Sequence, residues 1–213
     1  KNELRNIDAK LAQLSLRFGE NILADTQNYQ LHIEDEKKLK GLPVSVIEMA
    51  KFNAKNKNKK GWIFTLDYPS YVPLITYAED RNLRKKICLA FSKRGFQNNE
   101  NNNSKIILEI ITQRQKRSTL LGYDSHADFV LEERMAKSVK NVNDFLDDLT
   151  EKAKPFAKKE WEAMELFARE NLNLKVLEKW DSAFVSEKLK ETELQLNEQE
   201  LKPYFQLDQV LNG

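Results

Sequence analysis

Glycine, proline, histidine and cysteine are all scarce in this chain, and each shortage excludes something. Six glycines and five prolines in 213 residues are too few for a turn-dense all-β design and favour helix. The one cysteine, Cys88, excludes an internal disulfide and fits a reducing compartment such as the cytoplasm. No apolar run approaches the ~20 residues of a membrane span. No glycine-rich phosphate loop is present. Charge of one sign is also missing in net: 35 basic against 33 acidic residues leave +2. That balance gives no strong pull toward nucleic acid or an anionic membrane, so neither is expected as a partner.

What the chain does have is helical periodicity. Leu4, Ile7, Leu11, Leu14, Phe18 and Ile22 recur at three- and four-residue steps, which predicts one apolar helix face to about Ala24. Lys1 stands inside that pattern with no signal peptide before it, so the native N-terminus is expected upstream. Gly41-Leu42-Pro43 opens a second helix with Val46, Ile47, Ala50 and Ala54 on its apolar side. Lys55 to Lys60 reads as a polar, mobile loop. Trp62, Phe64 and Leu66 alternate with Ile63, Thr65 and Asp67, the best strand in the chain. Its partner is expected at Leu31-His32-Ile33. Further helices are predicted after Pro69, over Arg81 to Lys93 with Gly95 as C-cap, and from Asn103 or Ser104 to Gly122. Asp124 or Ser125 then caps a helix carrying Phe129, Val130 and Met135. Ser138 starts a long run to about Leu172, with Pro155 marking a kink or join. Asp181 starts another helix, and Leu207-Asp-Gln-Val-Leu211 begins a last one. The fold class is mainly α: a multi-helix lobe with one short β element.

No residue assembles into a catalytic or metal site. Helix-borne zinc hydrolysis uses His-Glu-x-x-His, two ligands on adjacent turns with a glutamate base. That motif is absent from all 213 residues. His126 reads as a helix-start or packing residue. His32 with Glu34 lacks the paired cysteines of a zinc deaminase and reads as a strand-face residue. Cys88, among Ile87, Leu89 and Phe91, reads as a small buried side chain. Arg81, Arg84, Lys85 and Lys86 read as a solvated basic face paired with Glu79 and Asp80. Asp144, Asp147, Asp148 and Glu151 lack the glycine and spacing of a calcium loop.

One stretch is more specific. Leu121-Gly-Tyr-Asp-Ser-His-Ala-Asp-Phe-Val-Leu-Glu132, followed by Glu133-Arg-Met-Ala-Lys137, resembles a signature segment of the thimet-oligopeptidase family of zinc metallopeptidases. Gly61-Trp-Ile-Phe-Thr-Leu-Asp-Tyr-Pro-Ser-Tyr-Val-Pro73, Arg81-Asn-Leu-Arg84, Trp180-Asp181 and Leu201-Lys-Pro-Tyr-Phe205 follow the same family order. The resemblance runs over essentially the whole chain and is nearest to the oligopeptidase A and bacterial peptidyl-dipeptidase branch. Gln206 departs from it, standing where many relatives carry proline.

The resemblance implies a helical zincin-type oligopeptidase lobe beside a deep channel that admits short peptides. In the family, the zinc helix and its glutamate, which activates a zinc-bound water, lie downstream. Residues 1–213 are therefore expected to be a helical fragment ending before the zinc-binding part. Its partners would be short peptides and the missing catalytic half, with zinc held by the parent protein and none by this fragment. The fragment alone is expected to be inactive. Surface that normally packs on the catalytic half, including Leu201–Leu211, is expected to be apolar and to promote self-association. The alternative is a zinc-free helical module that binds peptides or proteins.

Overall fold

The computed structural model describes residues 1–195; the Leu201–Leu211 patch, Gln206 and the helix expected from Leu207 lie outside them. The described residues divide into two compact units, one formed by Lys1–Asn28 with Lys93–Glu160 and the other by Tyr29–Ser92 with the described residues from Trp161 onward.

In the first unit, helix α1 covers Asn2–Asn28 and packs along helix α5, Ser104–Leu120. The predicted stripe of α1 is buried or half-buried from Leu4 through Ile22. Lys10 pairs with Glu109, and Asp8 with Arg117 at 2.9 Å, across the same two helices. The helix outruns the expected end at Ala24 because polar contacts replace the apolar pattern there. Asp25 and Thr26 are buried. The Asp25 carboxylate accepts the Gly95 amide at 2.7 Å and the side chains of Asn99 (3.2 Å) and Asn101 (2.8 Å). Thr26 accepts from Arg94 at 3.0 Å.

The Asn-rich loop is thus folded onto α1 through hydrogen bonds. Asn103, fully buried, does not cap α5 with its side chain. It donates to Phe18 O at 3.1 Å and accepts from Asn21 at 2.8 Å, while Asn102 takes the Ser104 amide. Gly95 has φ +72°, and a Cβ on it would lie 2.6 Å from Asn103 Nδ2, so the close approach requires glycine.

Helix α6 is short, His126–Leu131. Ser125 caps it, accepting the Asp128 amide at 3.1 Å, and its hydroxyl donates to the Asp128 carboxylate at 2.6 Å. Met135, expected on this helix, falls beyond its end and is exposed. Helix α7, Val139–Asn171, starts after Ser138 as expected and continues through Pro155 as one element, so no join occurs there. Every residue from Asn143 to Ala163 is exposed, including Phe145, Leu146, Leu149, Phe156 and Trp161.

In the second unit, strands β1 (Leu31–Ile33) and β2 (Trp62–Phe64) pair antiparallel, with Leu31 opposite Phe64, His32 opposite Ile63 and Ile33 opposite Trp62. Helix α2, Val44–Asn56, packs on β2 through Val46, Ala50 and Ala54. Helices α3 (Tyr68–Tyr77), with Pro69 in its first turn, and α4 (Arg81–Ser92) complete the main core around Phe64, Leu66, Leu74 and Ile87. Helix α8, Ser182–Leu194, packs on α3. A smaller core gathers Phe167, Ala168, Leu177, Phe184 and Val185. Helices dominate the described residues, with one two-stranded ladder. The fold is mainly α.

Candidate functional site

The most developed polar constellation lies in the second unit. Arg81 and Arg84 stand three residues apart in the first turn of α4, which puts them on one face. Asp181 precedes α8 and has no exposed surface. Arg81 donates to it through Nε (3.1 and 3.0 Å) and Nη2 (2.7 Å), a two-pronged pairing. Arg84 Nη2 adds a fourth contact at 2.8 Å. The Glu178 amide donates to the same carboxylate at 3.2 Å. Arg81 also reaches Val176 O at 2.9 Å, and Arg84 reaches Ala78 O (2.7 Å) and Glu79 O (3.1 Å). The Arg84 guanidinium lies over the Phe184 ring, 4.1 Å from its centre.

These bonds fasten the end of α3, the start of α4, the 176–181 segment and α8 to one another. Burial works to raise the Asp181 carboxyl, but the hydrogen bonds from Arg81 and Arg84 outweigh it and hold the group below the usual carboxylate range. Arg81 is raised, first by its bond to Asp181. Arg84 is lowered by burial, though a guanidinium stays charged at any physiological pH. Both arginines were expected on a solvated face paired with Glu79 and Asp80. Their true partner is Asp181, and Arg84 is 1% exposed. Asp181 stands at the helix start, as its sequence position predicts, but its side chain makes no cap. The signal available was Arg-x-x-Arg on one helix face and an isolated Asp beside Trp180.

An open depression of about 440 Å³ adjoins the cluster, lined among others by Glu79, Arg81, Arg84, Asn173, Phe184 and Lys188. Lys188 is paired with Glu191 at 2.7 Å. A carboxylate held ionised by two guanidiniums is a poor proton acceptor. The arrangement fastens helices and supplies no acid–base pair.

The histidines sit in different surroundings. His32 Nε2 lies 2.6 Å from Lys60 O. His126 is the first residue of α6. Its Nδ1 is buried with no hydrogen-bond partner among the described residues. Burial, Arg114 and Arg117 lower its basicity. Two neighbouring guanidiniums disfavour a cation, and metal-bound histidines normally lean on a carboxylate or carbonyl instead. Among the described residues, no group of three or more His, Cys, Asp and Glu could hold a metal ion. The described residues offer no ligand set that fits zinc. Cys88 is buried in the main core. Among the described residues, no helix is long and apolar enough to cross a membrane.

Comparison with known proteins identifies the class. A profile of Peptidase family M3 matches residues 74–213, more than half of the chain. The chain belongs to peptidase family M3, the thimet-oligopeptidase family. It is 37% identical over 211 residues to oligopeptidase A of Haemophilus influenzae and 34% identical over 211 residues to oligopeptidase A of Escherichia coli. Each match covers 97% of this chain and 31% of the relative. Dipeptidyl carboxypeptidase of Escherichia coli is 27% identical over 213 residues, 100% of this chain and 31% of the relative. The chain therefore spans about a third of the length of the curated relatives it matches.

Proposed function

We propose that this chain is a non-catalytic part of a zinc metallopeptidase that hydrolyses short peptides, as a peptidyl-dipeptidase or an oligoendopeptidase, and that it builds part of the substrate-channel wall. Membership of peptidase family M3 carries this reading. The names of its relatives, oligopeptidase A and dipeptidyl carboxypeptidase, support peptides as the substrate class. The missing His-Glu-x-x-His motif and the 31% coverage of those relatives support a place outside the catalytic part.

The α7 surface adds physical support. Phe145, Leu149 and Phe156 are 64%, 50% and 68% exposed. A long helix with an uncovered apolar side gains its stability from packing that side against something. Further polypeptide laid on α7 would provide it. In this reading the Arg81–Arg84–Asp181 cluster holds supporting helices in place, and the chemistry resides in residues beyond Gly213.

Sequencing the native transcript past the Gly213 codon tests this directly. An open frame continuing into His-Glu-x-x-His is the expected result. A stop codon there would overturn it in favour of a zinc-free helical module that binds peptides or proteins.

A further inference from the structure

The loop expected from Lys55 starts two residues later, because α2 runs through Asn56; Lys57 to Lys60 is held by backbone bonds to the end of α2 and by β1. The Lys57 and Lys59 amides donate to Ala54 O at 3.0 and 2.9 Å, and the Asn58 amide donates to Lys55 O at 3.0 Å. His32 Nε2 meets Lys60 O at 2.6 Å. Gly61, at φ +84°, lies so close to Ile33 O that a Cβ would come within 2.2 Å of it. Asn53 ties α2 to β2 through Ile63 O at 3.3 Å. Residues Lys57 to Gly61 thus form a hydrogen-bonded wall.

That wall and α2 enclose an open groove of about 820 Å³, lined by Lys51, Phe52, Lys55, Lys59, Lys60 and Glu48, together with Asn58 and Gly61. Glu48, Lys51, Phe52 and Lys55 stand at i, i+3, i+4 and i+7, one face of the helix. Val46, Ala50 and Ala54, the core-facing residues, are buried. Four lysines face one glutamate. Among the described residues, none of Lys51, Lys55, Lys59 and Lys60 is in an ion pair. Phe52 sits among them 62% exposed.

We propose that this groove binds an acidic peptide segment in extended conformation, with carboxylates on the lysines and one apolar side chain on Phe52. Lys51 and Lys55, one helical turn apart, have their Cβ atoms about 5–6 Å from each other. Alternate residues of an extended chain repeat at about 6.6 Å on one face, so carboxylates two residues apart match the lysine pair. Single-stranded nucleic acid is the poorer match, because its grooves stack successive bases on several aromatics and this one offers only Phe52. The proposal is independent of the peptidase reading: it needs neither zinc nor any residue beyond Gly213.

The test uses the full chain and a short fluorescein-labelled peptide of Asp and Glu around one central Leu, read by fluorescence anisotropy. Saturable binding is expected, weakening as salt is added. The double variant Lys51→Glu with Lys55→Glu and the single variant Phe52→Ser should each lose about tenfold in affinity or more. All three positions are exposed, and circular dichroism should show unchanged helix. The double variant Lys140→Glu with Lys152→Glu makes the same charge change on α7 and should retain affinity. A peptide with Lys in place of Asp and Glu should not bind. Absence of binding, equal loss in the α7 variant, or tighter binding of a single-stranded oligonucleotide through the same lysines would overturn the proposal.

Discussion

Asp181 takes hydrogen bonds from two arginine side chains and one backbone amide, and its removal leaves buried positive charge uncompensated. Asp181→Ala is expected to lose about 3–5 kcal/mol of stability, read as a lower urea midpoint with an unchanged slope. Arg81→Ala should lose much less, because Arg81 is 40% exposed and Arg84 keeps the carboxylate paired. The pH dependence follows from the direction of the shift. The Asp181 carboxyl is held below its unfolded value of about 3.9. Its stabilisation is therefore fully present above that value and is lost as pH falls through the folded value. Asp25 contributes with the same sign: burial opposes it, and bonds from Asn101, the Gly95 amide and Asn99 outweigh the burial. Urea midpoints measured on either side of pH ~4 should fall less steeply in Asp181→Asn than in the native sequence. An equal fall would show that Asp181 is not shifted. Gly95→Ala forces a side chain into a left-handed conformation against buried Asn103 and should lose about 1–3 kcal/mol. Native-level stability in that variant would mean the Asn-rich loop is not seated on α1.

At the scale of elements, α7 carries the plainest expectation. With Phe145, Leu149 and Phe156 uncovered, the chain should self-associate through this apolar face. Phe145→Lys with Phe156→Lys should shift sedimentation toward monomer while leaving thermal stability nearly unchanged, since exposed positions rarely contribute beyond about 0.5 kcal/mol. A native chain that stays monomeric at high concentration would refute this.

Elements were largely legible in the sequence because their signals are local. The period of α1, the alternation at Trp62–Leu66 and the Ser125 cap each depend on neighbours a few residues away. The Leu31–Ile33 partner strand is legible because no other nearby segment could pair with Trp62–Phe64. The polar fastenings were not legible. Arg84 and Asp181 are 97 residues apart, Asp25 and Gly95 are 70 apart, and no period relates such pairs. At Pro155 the join is absent, since α7 runs through it as one element, so a local breaker did not end the run. At the candidate site, the sequence revealed a missing zinc motif but not the arginine cluster, which looked like ordinary surface charge.

For the molecule as a whole, the expectation concerns what the purified chain fails to do. It should take up no stoichiometric zinc by elemental analysis and cleave no fluorogenic short peptide. Zinc-dependent turnover by a clean sample would overturn the proposed placement outside the catalytic part. Both compact units are discontinuous in sequence, so neither can be isolated as one contiguous segment. Cutting the gene at residue 92 divides both units and should give pieces that fail to fold alone, which proton exchange would report as unprotected amides.

The same discontinuity sets a clock on synthesis. At roughly 5–20 residues per second, a ribosome needs about 5–20 s to travel from Arg84 to Asp181. Through that interval the emerging α4 has its interior guanidinium and no counter-charge to receive it. A nascent chain arrested before Asp181 should therefore present a protease-sensitive second unit, and one arrested well after α8 a resistant one.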